Sequence, residues 1–168
     1  MLKIAYTMAH GRGELDLLLA ELADRLQARG LQTRGIVQIN TDCEGNKRCD
    51  MDVQILPDGA KIRISQSLGE GARGCRLDSS ALETAVAEVG RSMADPFDVF
   101  LLNKFGKQEA EGRGFRDLLA EAAARGAIVI AGTNPLNAEK FEAFSEGTAT
   151  CVEADLDALL AWVDQVSD

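Results

Sequence analysis

Histidine occurs only once in these 168 residues, at His10, and no apolar stretch approaches the ~20 residues that a membrane-spanning helix needs. The amino terminus, MLKIAYTMAHG, has too short an apolar run and too early a glycine for a signal peptide, so a cytoplasmic location with no membrane partner is expected. Positive charge is also scarce, with 18 Lys and Arg against 27 Asp and Glu and a formal charge of -9. That balance argues against a nucleic-acid partner, whose phosphates must be neutralised over a broad surface. A small anion in a local basic pocket remains compatible with it. Repeats, low-complexity tracts and linkers are absent, and 46% hydrophobic residues suffice for one domain over 1–168 with a sizeable core. The four cysteines are even in number, but in a cytosolic chain reduced thiols are expected rather than a disulfide framework.

What is present alternates between strand and helix. Leu2 to Thr7 reads as a strand, and Glu14 to Arg29 as a helix with Leu15, Leu18, Leu19, Leu22 and Leu26 at helical spacing, closed by Gly30. Thr33 to Asn40 reads as a second strand. Asp52 to Leu56 and Lys61 to Ser65 flank Pro57-Asp58-Gly59, an antiparallel hairpin inserted, with its loops over about 41–78, into the alternating pattern. Gln66 to Asp78 is glycine-rich and expected to lack regular structure; Ser80 and Glu83 have capping-box spacing for a helix reaching about Met93. Strands over Val99 to Leu102, Ala127 to Thr133 and Thr148 to Glu153 then alternate with helices over Phe115 to Arg125, Asn137 to Phe144 and Asp155 to Val166, the last carrying Trp162. Cys151 is expected in the core. The fold class is α/β, with a mainly parallel sheet in three layers.

Asp98 to Arg116 carries the chemistry. Val99 to Leu102 has no polar residue, as in a parallel strand covered on both faces, and Asn103 marks the carboxyl end, where open α/β sheets place ligands. Lys104, Lys107, Arg113 and Arg116 follow among Gly106, Gly112 and Gly114. An anion site is one reading; a solvated loop with local pairs to Glu109 and Glu111 is the other.

Together with Gly11-Arg12-Gly13 between strand and helix, the GIVQ strand, the hairpin and GCRLD with its following helix, the run NKFGKQEAEGRGFR resembles the small THEP-type P-loop nucleoside triphosphatases. It resembles more closely the bacterial domain of unknown function 2478, over nearly the whole chain. The resemblance implies a P-loop-like fold. In the triphosphatases the first loop ends in Gly-Lys-Thr or Gly-Lys-Ser, lysine on the phosphates and hydroxyl on magnesium; here Gly13 precedes Glu14 and Leu15. Their later strand ends in Asp-Glu before Ile-Gly-Lys-Met-Glu; here Asn103 and Lys104 stand before Phe105-Gly106-Lys107-Gln108-Glu109. The resemblance thus implies degenerate Walker motifs, with Mg-ATP disfavoured and hydrolysis by the usual route not expected. Glu14 and Lys104, facing across the site in such folds, are expected to pair. Members of the 2478 family tend to be encoded near molybdate uptake functions, which implies a binding or regulatory role in molybdenum metabolism.

The expected function is therefore binding of a molybdate-like oxyanion or a nucleotide phosphate, without catalytic residues. The candidate anion-binding residues are His10, Gly11, Arg12, Gly13, Asn103, Lys104, Lys107, Arg113 and Arg116, with Arg73 and Arg76 brought from the insertion beside Ser65-Gln66. His10 could donate to an oxyanion or simply face solvent. Two alternatives remain open. One is a nucleoside triphosphatase with a rearranged site. The other is a thiol-based metal carrier using Cys43, Cys49 and Cys75, although three thiolates with no histidine nearby make an incomplete metal set. Asp50 and Asp52 fit either the site mouth or a polar turn, and the inserted hairpin offers a surface for a homodimer.

Overall fold

The computed structural model describes residues 2–9, 13–40, 51–66 and 76–167. In chain order these form β1 (Lys3–Thr7), α1 (Glu14–Ala28), β2 (Thr33–Asn40), β3 (Met51–Ile55), β4 (Lys61–Arg63), β5 (Ser65–Gln66), β6 (Arg76–Leu77) and α2 (Ser79–Ser92). There follow β7 (Val99–Leu102), α3 (Lys107–Ala110), α4 (Arg116–Ala124), β8 (Ile128–Gly132), α5 (Pro135–Phe144), β9 (Thr150–Cys151) and α6 (Leu156–Val166).

Seven strands make one sheet in the order β4-β3-β2-β7-β8-β1-β9. The pairs β2–β7, β7–β8, β8–β1 and β1–β9 are parallel, and the hairpin adds β3 and β4 antiparallel at one edge. Side-chain alternation explains why β7 and β8 contain no polar residue. Val99, Leu101, Ile128 and Ile130 face α1 and α6, packing with Leu19, Leu22, Leu26 and Trp162. Phe100, Leu102, Val129 and Ala131 face the other layer, with Val89, Leu119 and Phe141. Both faces are dry, so polar chemistry is confined to the strand ends.

The opposite, amino-terminal edge is closed by two arginines. The buried Arg34 donates through Nε to the Ser92 carbonyl and Arg125 through an Nη to that of Met93, satisfying the last carbonyls of α2, and Phe97 lies within cation–π range of both.

Three expectations need correction. The helix after the insertion is capped by Asp78, whose carboxylate accepts from the Ser80 and Ala81 amides, and not by Ser80. An aspartate in extended conformation at the preceding position reaches the free amides of the first turn directly. The glycine-rich segment is not wholly irregular, because Ser65–Gln66 and Arg76–Leu77 pair as a small antiparallel sheet around residues outside the described set. Cys151 is exposed: β9 is a two-residue strand at the sheet's edge, paired with β1.

Gly35 fixes the spacing of β2 on β7. Its φ is 105°, and a Cβ there would lie 1.8 Å from the Leu101 carbonyl oxygen. Gly35→Ala is expected to lose about 3 kcal/mol or more of stability from backbone strain and overpacking, read as the shift in the urea unfolding midpoint.

Candidate functional site

The parallel strands end together at one edge, and the side chains there are held by a small set of hydrogen bonds. Asn103, 2% exposed just beyond β7, is the joint. Its Oδ1 accepts the Gln38 amide of β2 at 2.8 Å, and its Nδ2 donates to Asp16 Oδ1 of α1 at 2.6 Å. A backbone N–H can only donate, which fixes the orientation of the side-chain amide and turns its NH2 towards a carboxylate. An aspartate at 103 would set two carboxylates against each other. The neutral residue at 103 and the acid at 16 are therefore one arrangement.

Gly132, at the end of β8, makes the joint possible. A Cβ there would come within 2.3 Å of the Asn103 carbonyl oxygen and 2.7 Å of Leu15 Cδ2. Beside it Thr133 donates its hydroxyl to the Phe105 carbonyl at 2.9 Å, and the Phe105 amide donates to the Gly132 carbonyl at 2.7 Å.

The segment that follows is built around a buried acid. Phe105 and Phe115 are both buried, Phe105 edge-on to Phe141 with centroids 5.0 Å apart. Between these anchors runs α3, and Glu109 within it turns inward, 4% exposed. Its Oε1 accepts the Gly106 amide and its Oε2 the Phe115 amide, each at 3.0 Å, so one carboxylate ties both ends of the loop. Gly114, at φ 61°, is required by this clasp, because a Cβ there would lie 1.9 Å from Glu109 Oε2. The alternative reading of a solvated loop with Glu109 as a local partner for the cations does not hold at Glu109, which binds amides inside the loop. Glu111 does take the local role, pairing with Arg113, whose Nε also donates to Gln108 Oε1 at 3.2 Å.

With the acid inside, the cations stand outside. Lys104 and Lys107 are exposed, and neither takes part in an ion pair among the described residues. Arg116 is half-buried, its guanidinium 5.3 Å from the centre of the Phe144 ring. Glu14 and Lys104 are both exposed and no ion pair joins them, which corrects the expected exchange pair. Lys104 leans instead over Gly106, where a single Cβ position would be 3.5 Å from Lys104 Cε and 3.8 Å from Glu109 Oε1.

Gly13 sits left-handed at the start of α1, and the first turn carries Glu14 and Asp16, which suit the positive end of the helix. His10, Gly11, Arg12, Arg73, Cys43, Cys49, Cys75 and Asp50 lie outside the described residues, as does the side chain of Arg76. Among the described residues no three His, Cys, Asp or Glu side chains gather to hold a metal. Asp52 lies in strand β3 and not in a polar turn, and its carboxylate pairs across the ladder with Arg63 of β4 at 3.1 Å. No helix among the described residues is long and apolar enough to cross a membrane. Glu109 and Asp16 were the residues that sequence reading missed; the one signal was glycine at 106 and 114 around the acid.

Burial pushes the Glu109 carboxyl above the usual carboxylate range, the bonds from Phe115 and Gly106 oppose this, and the charge of Glu83 adds a little. The folded protein then holds this proton more tightly than the unfolded chain. Its contribution to stability is fully present below the unfolded pKa and is lost as pH rises through the folded one. Glu109→Gln is expected to flatten that part of the profile of urea midpoint against pH. Asn103→Asp is expected to cost about 2 kcal/mol at neutral pH, since two carboxylates would face each other at hydrogen-bond distance. The loss should shrink in acid, and the same unfolding series at two pH values would show it.

Comparison with known proteins places this geometry. Residues 4–162 match the family described as "Protein of unknown function (DUF2478)". The chain is 35% identical over 160 residues to the Molybdenum import ATP-binding protein ModC 2 of Bradyrhizobium diazoefficiens, a match covering 95% of this chain and 18% of that relative. The crystal structure of THEP1 from the hyperthermophile Aquifex aeolicus superposes with a TM-score of 0.55 at 19% identity, covering 99% of this chain and 98% of that one. The architecture is the P-loop NTPase-like α/β fold, with the hairpin strands added at one edge.

Proposed function

This chain belongs to the DUF2478 family, and we propose that it is a binding protein for a small tetrahedral oxyanion of the molybdate kind, or for a nucleotide phosphate, with Walker motifs that no longer support hydrolysis. The observation that carries the reading is the Asn103 joint. At the end of β7, where an NTPase of this fold needs a carboxylate for magnesium, stands an amide already engaged by Gln38 and Asp16, followed by a cation. Lys104 and Lys107 supply positive charge outside the clasped loop, and Arg113 and Arg116 follow them in the chain. Ammonium and guanidinium groups with backbone amides suit an anion that brings no metal.

The molybdenum assignment draws on the relative from Bradyrhizobium, named for molybdenum import, which contains a stretch like this chain within a much longer one. A role in molybdenum homeostasis, delivering or sensing the anion, fits a sequence that resembles part of such a chain.

The test is calorimetric titration with molybdate, tungstate, sulfate, phosphate and ATP, each with and without magnesium. Binding of at least one tetrahedral oxyanion without magnesium is expected. Lys104→Ala and Lys107→Ala should each weaken it about tenfold, the worth of one charge-assisted hydrogen bond. Binding that requires magnesium, or ATP turnover on the order of 1 per second by protein whose Lys104 variant is inactive, would overturn the reading in favour of a working triphosphatase.

A further inference from the structure

The clasp under the cationic loop places a buried acid beside the proposed anion site, and the two negative charges cannot be independent. We propose that the oxyanion binds together with a proton taken from solvent, and that Glu109 is where the proton goes. The inference rests on the anion-binding reading above and deepens it by making the ligand's affinity depend on pH.

Three observations carry it. Glu109 is buried and bonded to two backbone amides, with no ion pair to a cation among the described residues, so its charge is held only by dipoles. Its Oε1 and the Cε of Lys104 lie within 4 Å of one point above Gly106, so an anion drawn to the Lys104 ammonium stands close to the carboxylate. Phe105 and Phe115, which flank the clasp in the chain, are both buried, and so is Glu109, which weakens the screening of its charge. Other charged groups surround the clasp. Glu83 on α2 adds negative field, and α5, which packs on α3, carries Glu139, Lys140 and Glu142, the last committed to the Tyr6 hydroxyl at 2.6 Å. Lys107, the Glu111–Arg113 pair, Arg116 and Asp117 complete the set. Among them Glu109 is the carboxyl that burial has already pushed upward, and hence the one a second negative charge can most readily protonate.

By linkage, an anion that raises the proton affinity of Glu109 must itself bind more tightly when Glu109 is protonated. Affinity should then fall by up to about tenfold per pH unit as pH rises between the pKa values of the free and the occupied protein.

The probe is sulfate, which stays a dianion over the whole range. Titrations of the intact protein in buffers of different ionisation heat are expected to show uptake approaching about one proton per sulfate. His10 would take up a proton with the same sign, so His10→Gln is measured alongside, and uptake should persist in it. Uptake should vanish in Glu109→Gln. The carbon resonance of the Glu109 carboxyl, followed against pH in the wild-type chain, keeps the question open to refutation even if that variant does not fold: its midpoint should rise when sulfate is added. Sulfate binding with no proton uptake, or with an unmoved Glu109 resonance, overturns this inference alone. No anion binding at any pH overturns both it and the function on which it rests.

Discussion

A parallel strand covered on both faces has no room for a polar side chain along its length, and this constraint arranges the rest of the molecule. Val99 to Leu102 and Ile128 to Ala131 are wholly apolar, so the first polar groups the chain can offer come at the strand ends. There they must be satisfied, because the ends remain largely buried. Asn103 answers β2 on one side and α1 on the other. Thr133 answers the Phe105 carbonyl. The edge is thus a hydrogen-bonded rim laid over a dry core, and whatever binds there meets side chains whose orientations are already fixed.

The rim also sorts charge. An acidic chain has placed one carboxylate beneath the loop and four cations along it, with Phe105 and Phe115 as anchors on either side. Holding an ionised carboxylate in such a place costs free energy, offset in part by its two amide bonds. What the cost secures is a loop whose lysines project outward without being neutralised by their nearest acid. Cations elsewhere have different work: Arg34 and Arg125 close the far end of α2 through carbonyls and the Phe97 ring, and Arg63 pairs along the hairpin. Lys104 and Lys107, by contrast, stand outside every ion pair among the described residues.

The fold is shared with THEP1, and the residues at the strand ends are this chain's own. An amide at the end of β7 and acids in the first turn of α1 make a self-consistent pair, in which changing either alone leaves an unmatched donor or two facing carboxylates. Such reciprocity is a packing fact about this chain, and it gives the neutral residue at 103 a reason that holds with or without a ligand.

The sequence alone was enough for the alternating α/β order, the hairpin and the apolar strands, because these follow from periodicity and from apolar runs, which act over a few neighbouring residues. It was enough, too, to mark 98–116 as the segment of interest. It did not reveal that Glu109 turns inward while Glu111 turns outward, since two acids in a charged loop look alike until Gly106, Gly114 and Phe115 are brought around one of them. Nor did it reveal that Asn103 meets Asp16 or that Lys104 stands apart from Glu14, for these residues are some ninety positions apart in the chain and only the packing of α1 on the sheet sets their separation. The exposure of Cys151 was decided in the same way, by the place of β9 at the sheet's edge. Local pattern determined which elements form; the long-range register of strand ends against helix starts determined which polar groups can touch.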